Sequence, residues 1–191
     1  SLQHDTGALC CFRHDGMING VDVHTRVFSL RIIPPHFPYQ TSIRKIKKLI
    51  LDLSQLINIV CFASDQFQSV QLRQEIQEIL GLEDIRISLD STDVPHMHYV
   101  RALVEHRIRQ IEDEQLRQEC LEAVHDWKKH RVTKVSGGSD DVMQANIGAF
   151  FISDTFGRNA GSLEGLYTEQ HRLNLVGRTS LKRVLKELGY S

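Results

Sequence analysis

The sequence predicts an α/β fold with a mixed sheet, antiparallel in its first part and parallel in its second, flanked by helices. Three observations carry this. Residues 8–33 contain two strand-like apolar patterns with Asp15-Gly16 and Asn19-Gly20 between them, both good hairpin dipeptides. From Thr41 onward the apolar period switches repeatedly between helix and strand, with short links. The run Ile57-Asn58-Ile59-Val60-Cys61-Phe62-Ala63 is almost uninterrupted, as in a strand covered on both faces.

In chain order, Ala8-Leu9-Cys10-Cys11-Phe12 reads as the opening strand and Val21–Ile33 as a long antiparallel partner. The apolar phase of the second changes near Val27-Phe28, which predicts a bulge there. Pro34, Pro35 and Pro38 then end it. Ile43, Ile46, Ile50, Leu53 and Ile57 form one stripe of an amphipathic helix. After the strand at 57–63, Leu72, Ile76, Ile79 and Leu80 mark another helix, with Gly81 suited to its C′ position. Ile85-Arg86-Ile87-Ser88-Leu89 alternates as a strand. Two helical stripes follow, Met97, Val100, Val104, Ile108 and Ile111, then Leu116, Cys120, Val124 and Trp127. A short strand, Val132–Val135, leads through Gly137-Gly138 to a core helix over Asp141–Ile152, with Met143, Ile147 and Phe150 on its buried face. The expected organisation is one domain over residues 1–153 and a polar tail over 154–191, with a short helix at Leu181–Leu188. An antiparallel meander followed by alternating helices and parallel strands is the ribonuclease-H-like layout.

Composition narrows the function classes. With 191 residues, 41% of them hydrophobic, the chain is long enough for a sizeable core. No apolar run approaches a membrane span and no signal peptide is visible, so a cytoplasmic protein is expected. The four cysteines, Cys10, Cys11, Cys61 and Cys120, lie in apolar patterns and are expected to be reduced and buried. There is no G-x-x-x-x-G-K-[ST], G-x-S-x-G or G-x-G-x-x-G, which removes the commonest ATPase, hydrolase and dinucleotide readings. His96 and His98 are two apart on a helix and read as surface residues, and Cys120, His125 and His130 have no zinc spacing.

Carboxylates carry the functional expectation. Asp5, Asp65 and Asp140-Asp141 each sit at a turn that holds an acid toward solvent, and Asp65 follows the buried run directly. Acids at strand ends lie at the edge where open α/β sheets place their sites. Brought to one point, they would offer hard oxygen ligands to Mg²⁺ or Mn²⁺, a pocket suited to a phosphodiester. Asp65 and Asp140 are equally good helix N-caps. Asp140 and Asp141 are adjacent, so at most one can cap, and paired acids call for a nearby cation. The net charge is only -1, but Arg44, Lys45, Lys47 and Lys48 cluster, as do Lys128, Lys129, Arg131 and Lys134. Either group suits phosphates, and either is also a normal solvated face.

Several of these segments resemble the C-terminal nuclease domain of tailed-phage large terminase subunits. Ala63-Ser64-Asp65-Gln66-Phe67-Gln68-Ser69 is similar to the family's acid-x-aromatic-x-Ser segment. Ile87-Ser88-Leu89-Asp90, with Tyr99 and Glu105-His106-Arg107-Ile108, resembles its next strand and helix, and Leu116–Leu121 with Glu119 the helix after that. Val135–Ala149 is similar to its closing turn and small-residue helix. The likeness covers residues 1–153 by motif order. It implies a two-metal endonuclease that cuts concatemeric double-stranded DNA during viral genome packaging, in the host cytoplasm.

The implied partners are an ATPase motor domain, a portal protein and a small terminase subunit. The implied catalytic residues are Asp65, Asp141 and Asp5, with Asp140 as a further metal ligand. Arg44, Lys45, Lys47, Lys48, Lys128, Lys129 and Arg131 would hold the DNA backbone. Asp140 stands where the family usually has Lys, and Gln144 where it often has a second Asp. The family's first acid is expected upstream of Ser1. The alternatives are another ribonuclease-H-like nuclease, a resolvase or exonuclease, and a non-catalytic module that docks DNA or a portal.

Overall fold

The computed structural model describes residues 7–32, 43–64, 70–82, 85, 87–89, 91–134 and 139–160. Its centre is a hairpin of β1 (Gly7–Ile18) and β2 (Val21–Ile32), paired antiparallel. Asn19 and Gly20 form the two-residue turn with φ of 52° and 80°, positive at both positions as a type I′ hairpin requires. Asp15-Gly16, the other hairpin candidate, lies within β1 instead. The register shifts between His14 and Gly16, and Gly16 has a φ of 79°, so this dipeptide makes a bulge. β3 (Ile108–Arg109) joins β2 in parallel through His24 and Thr25. The result is a mixed three-stranded sheet in the order β1-β2-β3.

The bulge predicted in the second strand is present. Cys11 faces Phe28 while Phe12 faces Arg26, leaving Val27 as the extra residue. Its consequence is a change of face. His24 and Arg26 reach one layer of helix through hydrogen bonds, and beyond the bulge it is Ser29 that does so. Without the extra residue Ser29 would point away.

Helices cover both faces of β1. Ala8 and Phe12 pack in a cluster with Val142, Met143, Ile147 and Phe150 of α5 (Asp141–Ala160), Tyr99 and Ala102 of α3 (Val94–Val104), and Leu116 of α4 (Glu114–Glu122). Leu9, pointing the opposite way along the pleat, joins Ile50 of α1 (Ile43–Ser54) with Leu72 and Ile76 of α2 (Val70–Leu80). Phe150 is fully buried and takes edge-on contacts from Phe12, His24 and Tyr99, at 5.8, 5.3 and 5.6 Å between centroids. At Gly148 an added Cβ would meet Ile87 Cδ1 at 2.9 Å, so α5 approaches that segment closely because the residue has no side chain.

Several expected elements take another form. The runs at 57–63 and 85–89 form no strand among their described residues. They are nevertheless packed: Ile59 and Phe62 lie on the α1–α2 cluster, Gln77 Nε2 donates to Phe62 O at 3.2 Å, and Ile87 and Leu89 lie against the α5 cluster. An apolar run specifies burial but not the backbone that it pairs with. In α3 the predicted core stripe is the outer face. Met97, Val100 and Val104 are exposed, while Pro95, His96, Tyr99 and Ala102 are buried. Ile108 belongs to β3, and Ile111 is exposed beyond it.

The helix expected through Trp127 ends at Glu122, because Ala123 is extended (φ −68°, ψ 136°). β4 (Ala123–Asp126) then pairs antiparallel with β5 (Arg131–Lys134), and Trp127 is exposed in their turn. α5 continues past residue 153 to Ala160, and Asp154 on it is buried. Cys10, Cys11 and Cys61 are half-buried free thiols, whereas Cys120 is exposed rather than buried. Burial, with neighbouring Cys61, pushes Cys11 up to about 12. Among the described residues no helix is long and apolar enough to cross a membrane. Ile33, the three prolines after it, Val135, Gly137-Gly138 and the helix expected at 181–188 lie outside the described residues.

Candidate functional site

Asp140 and Asp141 stand at the N-terminus of α5, the helix that spans the sheet. The Asp140 carbonyl accepts the first helical bond, from Gln144 N at 2.8 Å. Its side chain does not cap a backbone N–H. It is held by Lys134 Nζ at 3.2 Å and by Gln144 Nε2 at 3.4 Å. Ser139 Oγ donates to the Asp141 carboxylate at 3.0 Å.

The cap comes from another helix. Glu119 of α4, 2% exposed, accepts the Met143 N–H at 2.8 Å with one oxygen and a bond from Gln115 Nε2 at 2.8 Å with the other. A carboxylate at the positive end of a helix is favourably placed. α4 is itself fixed by Asp113, which accepts the Leu116 N–H at 3.1 Å and pairs with buried Arg26 at 3.2 Å. Glu119 is thus the structural acid, and Asp140 and Asp141 beside it are half-buried.

Asp5 and Asp65 lie outside the described residues. The basic residues fall in two places. Arg44, Lys45, Lys47 and Lys48 are on α1, where Lys47 pairs with Glu75 at 2.6 Å and Lys48 with Asp52 at 2.5 Å, while Arg44 and Lys45 are exposed. Lys128 and Lys129 are exposed in the β4–β5 turn, which Asp126 fixes by accepting both their backbone N–H groups at 3.0 and 3.1 Å. Arg131 opens β5, and Lys134 at its far end is the residue that reaches Asp140. The hairpin therefore ties one basic group to the acids of α5.

A second polar cluster lies where the β1–β2 hairpin meets the later turns of α5. His24 is wholly buried, with Nδ1 2.9 Å from Ser153 Oγ and Nε2 3.1 Å from Asp154. Asp154 also takes hydrogen bonds from His98 Nε2 and Arg107. His14 Nε2 lies 2.6 Å from Asp22, and the His14 and His24 rings face each other at 4.7 Å. Arg107 lies between the acids, 3.7 Å from Asp22. Burial pushes His24 down, outweighing the opposing pull of Asp154. Burial would raise Asp154, but the bonds from His98 and Arg107 and the charges of Arg107 and His24 overcome it and hold the acid at about 2.

The expected surface placement of His96 and His98 does not hold: His96 is 3% exposed, and His98 is tied to Asp154. Spacing along the chain does not single this cluster out. The signal is the register instead. A two-residue turn at Asn19-Gly20 and one extra residue at Asp15 place His14 directly opposite His24.

Comparison with known proteins returned no matching family model, no matching curated protein and no matching solved structure.

Proposed function

We propose that this chain is a divalent-metal-dependent endodeoxyribonuclease with a ribonuclease-H-like arrangement, of the kind that cuts concatemeric DNA for viral packaging. The observation that carries the reading is the pair Asp140-Asp141 at the start of α5, with capping taken over by Glu119. A carboxylate that a helix needs as its cap cannot be given freely to a cation. Asp140 is free of that duty. Carboxylate oxygens are the donors that Mg²⁺ and Mn²⁺ prefer, and a bound ion would take the place of Lys134 at Asp140.

In this reading Asp141 and Asp140, with Asp65 and Asp5, hold two ions. Such ions, when bound, activate water and stabilise the leaving oxygen of an in-line displacement. The chain's own residues position the substrate: Lys128, Lys129 and Arg131 on the β4–β5 hairpin and the α1 residues hold phosphates without reading bases. Cytoplasmic double-stranded DNA is the substrate, and a motor domain, portal and small terminase subunit are the partners that the resemblance implies.

Nicking of supercoiled plasmid in Mn²⁺ and in Mg²⁺, against EDTA, tests the reading. Asp141→Asn is expected to lower the rate by at least about a hundredfold, as loss of a group acting in the transition state does. Cleavage that survives EDTA or is unchanged by Asp141→Asn overturns it. Cutting of branched DNA alone points to a resolvase.

A further inference from the structure

We propose that His14, Asp22 and His24 form a binding site for a divalent transition-metal ion of the zinc class, at the junction of the β1–β2 hairpin with α5. One ring nitrogen of each histidine and one oxygen of Asp22 lie within 4.8 Å of one another. Ligand atoms around tetrahedral zinc at 2.0–2.1 Å are separated by about 3.3 Å, so closure on an ion takes side-chain rotation on the order of 1 Å. The hairpin backbone stays where it is.

Four features of the surroundings favour the ion. First, the ligands are mounted on paired strands, with His14 directly opposite His24 and Asp22 two residues before it on the same face. Second, Ser153 Oγ beside His24 Nδ1 can accept that N–H and leave Nε2 to face the ion, the outer arrangement that ligating histidines generally have. Third, Asp154, 3.1 Å from that same Nε2 and held in place by His98 and Arg107, puts a fixed negative charge beside the ion. Fourth, the charge balance accepts a dication. Asp22 and Asp154 contribute two negative charges and Arg107 one positive, so the cluster carries one net negative charge with neutral imidazoles.

Access is from the side of His14 and Asp22, whose side chains are 21% and 18% exposed. Two imidazoles with one carboxylate suit zinc, nickel or cobalt rather than magnesium, which takes all-oxygen sites. The site is separate from the acids that begin α5. Asp154 is thirteen positions along the helix from Asp141 (154 − 141), about 20 Å at 1.5 Å per residue. Its role is to staple β1 to β2 beside α5, because His14 lies on one strand of the hairpin and Asp22 and His24 on the other.

The test is Zn²⁺ titration by calorimetry, with the visible spectrum of Co²⁺ as a readout of coordination. It is run on the native chain, on His14→Gln and Asp22→Asn, and on an Asp140→Asn/Asp141→Asn double variant. The native chain is expected to bind one Zn²⁺ reversibly, to give the intense spectrum of tetrahedral Co²⁺, and to show no such response to Mg²⁺. His14→Gln and Asp22→Asn should each weaken zinc by more than the roughly 10–100-fold typical of losing an outer-shell partner. The double variant should keep both zinc and the Co²⁺ spectrum, which separates this site from the nuclease acids. Absence of zinc binding, an octahedral Co²⁺ spectrum, or affinity undiminished in His14→Gln and Asp22→Asn overturns the proposal. A single variant that fails to fold leaves the other and the native spectrum to decide.

Discussion

At the scale of single residues, His24 and Asp154 link titration to stability. Asp154 is held at about 2 against an ordinary 3.8, so the unfolded chain binds its proton first as pH falls. Its contribution, about 2 kcal/mol, is complete above roughly pH 4 and is lost as the pH approaches 2. His24 lies below its ordinary 6.5, so the unfolded chain also protonates there before the folded one. That contribution is complete above pH 6.5 and shrinks below it. Denaturant unfolding of the chelator-treated protein should therefore show stability easing from about pH 6.5 and falling more steeply below pH 4. Asp154→Asn should be less stable at pH 7, where it leaves Arg107 poorly matched, and should lack the steep acid limb. An acid limb of the same slope in both proteins would refute this account. The His14–His24 juxtaposition was legible in principle, since turn and bulge chemistry fix the register. Asp154 was not: nothing in its neighbourhood along the chain says that it is buried against a histidine 130 residues earlier.

At the scale of elements, α5 shows what local pattern does and does not say. Met143, Ile147 and Phe150 repeat at helical spacing and are all buried, as that spacing predicts. The cap, by contrast, is supplied by Glu119 from α4 and not by Asp140, which precedes the helix. Glu119→Ala should cost about 1–3 kcal/mol, because it strands the buried Met143 N–H. Glu119→Gln keeps an oxygen in place and should cost less. Thermal and urea unfolding of the two variants checks the order. If Glu119→Ala is neutral, the aspartates have taken over the cap, and their availability to a cation falls with it. α3 is the counter-example. It carries apolar residues on two faces, and its stripe of Met97, Val100 and Val104 is the exposed one, because Tyr99 and Ala102 fit beside Phe150. Period identifies a helix, but packing chooses its inner face.

For the whole molecule, the two basic groups sit on separate elements, α1 and the β4–β5 hairpin. Joint reversal of Arg44 and Lys45 to Glu is expected to weaken DNA binding equally across sequences. It should reduce the slope of log affinity against log salt by about 2, near 0.9 for each phosphate that is no longer neutralised. Fluorescence anisotropy at several salt concentrations measures both, and an unchanged slope returns α1 to an ordinary solvated face. The sequence by itself determined a tight hairpin at one of two dipeptides, a bulge near Val27-Phe28, the amphipathic α1 and α2 and the buried face of α5. Each of these rests on steric or periodic preferences among residues a few positions apart. Only the tertiary structure decided that 57–63 packs without forming a strand, that 123–126 turns from helix to sheet, and that Asp154 meets His24. Those outcomes depend on which surfaces compete for the same layer. That competition is settled by packing between separate elements, near in the chain for 57–63 and 123–126 and 130 positions apart for His24 and Asp154, and no single local pattern encodes it.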